Sequence, residues 1–122
     1  MRDGVIQAHD GCIRSWCYVD DFIEGILCVL DRHKFFGREY QAFSIGTEEY
    51  RSMEDCARIA VNLTGRGSYK VVPPPGMLVS AVKKADFEYI KSLGFAPKIG
   101  LEEGMERTYE WLKDYKRTVL HE

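Results

Sequence analysis

An α/β fold, in which short strands alternate with about four helices, is expected for this chain from three observations. Apolar residues switch repeatedly between short continuous or alternating runs and a three-to-four-residue spacing. Helix start and stop signals bracket the periodic stretches, as where Ser52 is followed by Asp55 and then by Gly65. At 122 residues, 45% apolar and 30% charged, the chain has the composition of one soluble domain, so residues 1–122 are expected to form a single region around one core.

The elements follow in order. Residues 5–9 read as a short strand, and Asp10-Gly11 supplies a two-residue turn that predicts a hairpin with residues 12–19. In that second run Arg14, Trp16 and Tyr18 fall on one strand face, with Cys17 and Val19 on the other. Asp20 or Asp21 is placed to cap a helix over 22–33, whose Phe22, Ile23, Ile26, Leu27 and Leu30 make an apolar face that needs a large partner. Phe36-Gly37-Arg38 turns the chain into a strand over 40–45 that ends at Gly46. Ser52 opens a helix with Met53, Cys56, Ala57, Ala60 and Leu63 as its stripe, which reads as core rather than as a cofactor site, and Gly65 stops it. Residues 69–72 form another strand, and Pro73-Pro74-Pro75-Gly76 then imposes an exposed connection short of backbone donors. A short helix over 85–93 closes at Gly94. Leu101 begins the longest helix, with Glu102 and Glu103 in its first turn and Lys113, Lys116 and Arg117 toward its end, the order that its dipole favours. Leu101, Met105, Thr108, Leu112, Tyr115 and Val119 form a near-heptad line, read as an intramolecular packing seam in preference to a dimer surface.

Charge and cysteine usage narrow the function. A net charge of −2 gives no general attraction to nucleic acid or to an anionic membrane, so any anionic ligand must be held by local cations. No apolar run approaches the roughly 20 residues of a membrane span, and Met1-Arg2-Asp3-Gly4 lacks a signal-peptide core, which together point to the cytoplasm. Cys12, Cys17, Cys28 and Cys56 are scattered without metal-ligand spacing, and His9, His33 and His121 are too dispersed to complete a metal or nucleophilic site. His33, at a helix end, suits the helix dipole. Neither repeats nor low-complexity tracts occur.

Arg14 stands out because it sets a cation where a strand gives way to a helix, although an arginine at a strand edge is commonly just solvated. Three landmarks give it context: Arg14-Ser15-Trp16-Cys17-Tyr18-Val19-Asp20-Asp21, then Tyr40-Gln41-Ala42-Phe43-Ser44-Ile45-Gly46, then Leu93-Gly94-Phe95-Ala96-Pro97-Lys98-Ile99-Gly100-Leu101-Glu102-Glu103-Gly104. In their order and spacing they resemble the C-terminal, substrate-binding part of an extended short-chain dehydrogenase/reductase, from the NAD-dependent nucleotide-sugar epimerase, dehydratase and decarboxylase group. The resemblance implies the substrate-side lobe of an extended Rossmann-type reductase, with the dinucleotide-binding half absent. The glycine-rich element of the group is missing, since no Gly-x-x-Gly-x-x-Gly follows a strand. Tyr18, Tyr40 and Tyr69 are followed four residues later by Phe22, Ser44 and Pro73, so none of these three opens a Tyr-x-x-x-Lys.

The resemblance implies that Arg14 meets the diphosphate of a sugar nucleotide, and that Ile6, Gln7 and Ala8 lie along its base; an ordinary edge strand is the competing reading of those three. A second phosphate-binding arginine of the group has no counterpart, because Pro74-Pro75-Gly76-Met77-Leu78 stands there; Lys83 and Lys84 nearby read as solvated. Ser44 replaces an asparagine of the second landmark, and Asp21 is assigned to helix capping. The implied whole is an enzyme in which NAD, not bound by this chain alone, transiently accepts hydride from the sugar. The chain alone is expected to be inactive, to lack its NAD-binding domain as a partner, and to form a homo-oligomer through uncovered apolar faces. The alternative is a stand-alone, non-catalytic binding or assembly module derived from the same lobe. Coding sequence upstream of Met1 that encodes the glycine-rich unit and Tyr-x-x-x-Lys distinguishes the enzyme from the module.

Overall fold

The computed structural model describes residues 4–32, 41–76 and 82–119. The expectations on His33, on Phe36 to Tyr40 and on Met77 and Leu78 lie outside these residues. The elements run β1 (Val5–His9), β2 (Ile13–Ser15), α1 (Val19–Arg32), β3 (Tyr50–Ser52), α2 (Met53–Thr64), β4 (Ser68–Val72), α3 (Glu88–Ser92) and α4 (Leu101–Val119). The mixed α/β character is as expected, with four helices among the described residues.

The strand pairing differs from the expected hairpin. β1 pairs in parallel with β4, from Val5 opposite Ser68 to His9 opposite Val72, while β2 pairs antiparallel with β3. Gly11 does turn the chain, at φ 65°. Asp10 N–H, however, donates to Val72 O (2.9 Å), which holds the turn on β4 and sends β2 away to a different neighbour. α2 packs across both β1 and β4. The strand expected over 40–45 forms no ladder in its described residues 41–45. Phe43 and Ile45 pack instead beside a core of Val29, Phe87, Ile90 and Phe95. β3, three residues long, was not expected, and β2 ends at Ser15, so that 16–18 lead irregularly into α1.

α1 starts three residues before the expected Phe22, so Asp20 and Asp21 sit in its first turn rather than at its cap. It also turns over. Its buried positions are Asp21, Gly25 and Val29, while Phe22, Ile23, Ile26, Leu27 and Leu30 are 39–64% exposed. The broad apolar face thus has no cover among the described residues. α2 matches its signals closely: Ser52 Oγ accepts from Asp55 N–H (3.0 Å), and Gly65, at φ 62°, returns its N–H to Val61 O. α3 is shorter than expected because Asp86 Oδ1 takes the Glu88 N–H (2.9 Å) in a local turn and leaves 82–87 outside the helix. α4 begins at Leu101 as expected, but only its first half serves as a packing seam; Leu112, Tyr115 and Val119 are exposed.

Candidate functional site

The three sequence landmarks meet in space, and the contacts between them are polar and local. Ser15 Oγ donates to Thr47 O (2.6 Å) and Thr47 Oγ1 donates to Trp16 O (2.6 Å), which laces the end of β2 to the residue after Gly46. Thr47 Oγ1 in turn accepts from Glu49 N–H (3.1 Å). The carboxylate of Asp21, 3% exposed, accepts from Lys98 N–H (3.0 Å) and Ile99 N–H (2.9 Å). Glu49 caps α4 through the Leu101 N–H (3.0 Å). The Thr47 hydroxyl and the carboxylates of Asp21 and Glu49 thus satisfy backbone donors that neither a helix nor a ladder provides for. The result is a fixed junction around the point where β2 gives way to α1.

Arg14 lies within this junction. It is half-buried on β2, directly opposite Arg51 of β3, and its Nη1 donates to Ile13 O (2.7 Å). The opposition of two arginines is unfavourable unless one is neutralised, and Arg51 is. Its guanidinium reaches Glu102 (2.6 Å), Glu49 (3.3 Å) and Asp55 (3.4 Å). The bond to Glu102, chief among these, raises the Arg51 pKa beyond its ordinary value; the same bond lowers that of Glu102. Two lysines lie along the other edge of β2. Val82 bridges Ile13, Lys83 N–H donates to Ile13 O (3.4 Å), and Lys84 Nζ stands 5.7 Å from the Tyr50 ring centroid. Lys84 is therefore exposed but placed against an aromatic face.

Ile6 and Gln7 are exposed on β1, whereas the side chain of Ala8 is buried, at 2%. β1 and β2 belong to different sheets, joined through the turn at Asp10 and Gly11. Two concavities flank the junction: an apolar groove of about 370 Å³ between α2, α4 and Trp16 to Tyr18, and a more polar cleft along 46–49 and 95–100. Neither is lined by Arg14, Ile6, Gln7 or Ala8. Cys17, at the groove, is a poor nucleophile, since burial and then the charge of Asp21 push its pKa up.

The described residues do not form a dinucleotide pyrophosphate site. Such a site needs a glycine-rich turn from a strand into a free helix N-terminus. Here β3 enters α2 through Ser52, whose hydroxyl already takes the Asp55 N–H, and the first turn of α1 carries Asp20 and Asp21. Both arrangements disfavour phosphate. Among the described residues no group of three or more His, Cys, Asp or Glu side chains is arranged to hold a metal ion, and no helix is long and apolar enough to cross a membrane.

Thr47, Glu49, Arg51 and Glu102 were not singled out from the sequence. Thr47 and Glu49 act on backbone groups 31 to 52 positions away, which no local pattern reveals. A cation at Arg51 between Glu49 and Asp55 was the available signal, with β3 too short for periodicity to show.

The chain is 28% identical over 108 residues to GDP-L-fucose synthase 1 of Arabidopsis thaliana, a match covering 88% of this chain and 32% of that protein. It is 30% identical over 102 residues to GDP-mannose 3,5-epimerase 1 of Oryza sativa subsp. indica, covering 83% of this chain and 25% of that one. No family model matches. Its fold matches the crystal structure of UDP-glucuronic acid 4-epimerase from Bacillus cereus in complex with UDP-glucuronic acid and NAD, with a TM-score of 0.71 at 23% identity, over 91% of this chain and 35% of the other. The chain thus spans about a third, or less, of the length of these proteins.

Proposed function

We propose, from the premise that this chain is a relative of the NAD-dependent nucleotide-sugar epimerases and dehydratases of the extended short-chain dehydrogenase/reductase group, that it is their substrate-side lobe and holds the diphosphate of a sugar nucleotide through Arg14. The convergence of the three landmarks carries this reading. Ser15 and Thr47 tie the end of β2 to the segment after Gly46, and Asp21 and Glu49 hold residues 98–101 to α1 and to the start of β3, so the arginine is presented from a hydrogen-bonded support. A guanidinium stays charged and can donate in parallel to phosphate oxygens, each charge-assisted bond contributing about 1.5–3 kcal/mol. Lys83 and Lys84, beside the same strand, add positive charge without bidentate geometry. Ile6 and Gln7 would border the base, and Ala8 would offer only its backbone because its side chain is buried.

NAD belongs to the remainder of the enzyme, where it would supply a transient hydride acceptor. No step of that chemistry falls to the residues described above, and the chain alone turns nothing over. The exposed face of α1 supports the same division. Five apolar side chains on one helix mark a contact with something larger, here the NAD-binding domain of a cytoplasmic enzyme. Deprived of that cover, the chain self-associates as a homo-oligomer.

Calorimetric titration with UDP and GDP tests the site. Arg14→Ala is expected to weaken binding about 10-fold or more, in line with one charge-assisted bond; an unchanged affinity removes Arg14 from the site. Incubation with NAD and a panel of sugar nucleotides should give no conversion, and sustained turnover by this chain alone refutes the division of labour.

A further inference from the structure

We infer that Arg51 is a positioning residue for Arg14: by holding Glu49, Asp55 and Glu102 on its own guanidinium, it keeps those carboxylates from drawing Arg14 away from a bound diphosphate. The inference deepens the reading of Arg14 as the diphosphate ligand and rests on it. Met53 N–H donates to Cys12 O (3.0 Å) and Trp16 N–H to Glu49 O (3.3 Å), so the alternation of an antiparallel ladder makes Arg14 and Arg51, midway between them, a hydrogen-bonded pair. Their Cα atoms are then about 5.5 Å apart, and both side chains leave the same face of the ladder. Two side chains of equal length rooted that close share one neighbourhood. The carboxylates that Arg51 reaches are therefore within the range of Arg14.

Arg51 occupies this neighbourhood. Its Nη1 and Nη2 grip Glu102 as a fork (3.2 and 2.6 Å), Nη1 also donates to Glu49 (3.3 Å), and Nε donates to Asp55 (3.4 Å). The bond to Arg51 lowers the Glu102 pKa, as a tightly held counter-ion does. Glu49 also takes the Leu101 N–H and Asp55 the Arg58 guanidinium, whereas Glu102 has Arg51 as its cation. Glu102 is thus the acid that loses its counter-ion when Arg51 is removed, and Arg14 is the guanidinium rooted directly across the ladder. A carboxylate and a phosphate both suit the guanidinium fork, so an uncompensated Glu102 competes with the ligand. With Arg51 in place, Arg14 Nη1 donates to a neutral acceptor, Ile13 O (2.7 Å), a weaker bond than one to an anion and one that a phosphate can displace.

Calorimetry with UDP on the 122-residue chain tests this, alongside urea unfolding. Arg51→Met is expected to weaken binding about 10-fold or more, as the loss of one charge-assisted bond would. Adding Glu102→Gln is expected to bring affinity back to within about 3-fold of wild type. A residue that merely holds the fold predicts no such recovery, because the second substitution rebuilds nothing that Arg51 tied together. Glu102→Gln alone, an exposed change, is expected to raise affinity about 2- to 5-fold, the size of one exposed charge pair, and decides the matter even if Arg51→Met does not fold. Without nucleotide, Arg14→Ala should lower the urea midpoint more in Arg51→Met than in wild type, since Arg14 there holds Glu102. Unchanged UDP affinity in Arg51→Met, no recovery on adding Glu102→Gln, or weaker binding in Glu102→Gln alone overturns the inference and leaves Arg14 in its site. Unchanged affinity in Arg14→Ala removes the nucleotide reading, and with it the ligand's part in this inference; equal midpoint losses in the two backgrounds overturn the competition for Glu102 itself.

Discussion

Asp21 carries more structure than its position suggests. A buried carboxylate is tolerated because two backbone N–H groups, of Lys98 and Ile99, converge on it, and those groups would otherwise be unsatisfied in a segment that forms neither helix nor ladder. Asp21→Ala is expected to destabilise the chain by about 2–4 kcal/mol, since it abandons two charge-assisted bonds. Urea unfolding measures this, and a loss under about 0.5 kcal/mol, the size of an ordinary surface substitution, would show that the 98–99 segment holds itself. An aspartate beside a helix start signals an interest in backbone donors. Which donors it takes depends on a segment 77 residues away, so capping was the local answer and a tertiary tie the actual one. Arg14 stood out for the opposite reason: it was singled out from the order of neighbours in its own segment. Its pairing with Arg51 was not, because it exists only through the register of β2 on β3.

Helices were read more faithfully than strands, and α1 shows where even a helix misleads. Its periodicity and length were correct to within a few residues, yet the face it buries is the narrow one of Asp21, Gly25 and Val29. Hydrophobic spacing reports which face seeks cover, and the described residues do not supply that cover. Gly25 lets α1 approach the 41–47 segment; a Cβ there would collide with Ile45 Cγ2 and touch Phe95 at 3.4 Å. Gly25→Ala gains up to about 1 kcal/mol in helix propensity but incurs overpacking of about 1–3 kcal/mol, so a net loss is expected. A rise in the unfolding midpoint of this variant would mean that Ile45 yields freely. The strands were harder because each takes its identity from a partner. β3 is three residues long, and the turn at Asp10-Gly11 has hairpin chemistry without a hairpin, since Val72 holds it from the other side. α2 was legible almost to the residue because both of its ends are set by local cap residues, the Ser52 side chain and the left-handed backbone of Gly65.

The molecule as a whole is tied together through one ionic cluster. Arg51 of β3 joins Glu49, Asp55 of α2 and Glu102 of α4, so three elements meet on one guanidinium. Asp55 is held down to about 2, first by its bond to Arg58, then by Ser52 and Arg51. A carboxylate depressed in the folded state contributes stability that is complete above its unfolded value, about 3.9, and is lost as pH falls toward its folded one. Stability is therefore expected to be flat near neutrality and to fall between about pH 4 and pH 2. Urea midpoints across that range check this, and Asp55→Asn should flatten the acid slope; an unaltered slope would assign it to other carboxylates. The parallel pairing of β1 with β4 has a consequence for biosynthesis. Val5 and Ser68, like each later pair in the register, are 63 positions apart, and a ribosome adding about 5–20 residues per second needs several seconds to cover that interval. Throughout it the nascent β1 waits for β4, and its exposed Val5 and Ile6 are open to capture by chaperones until that strand emerges.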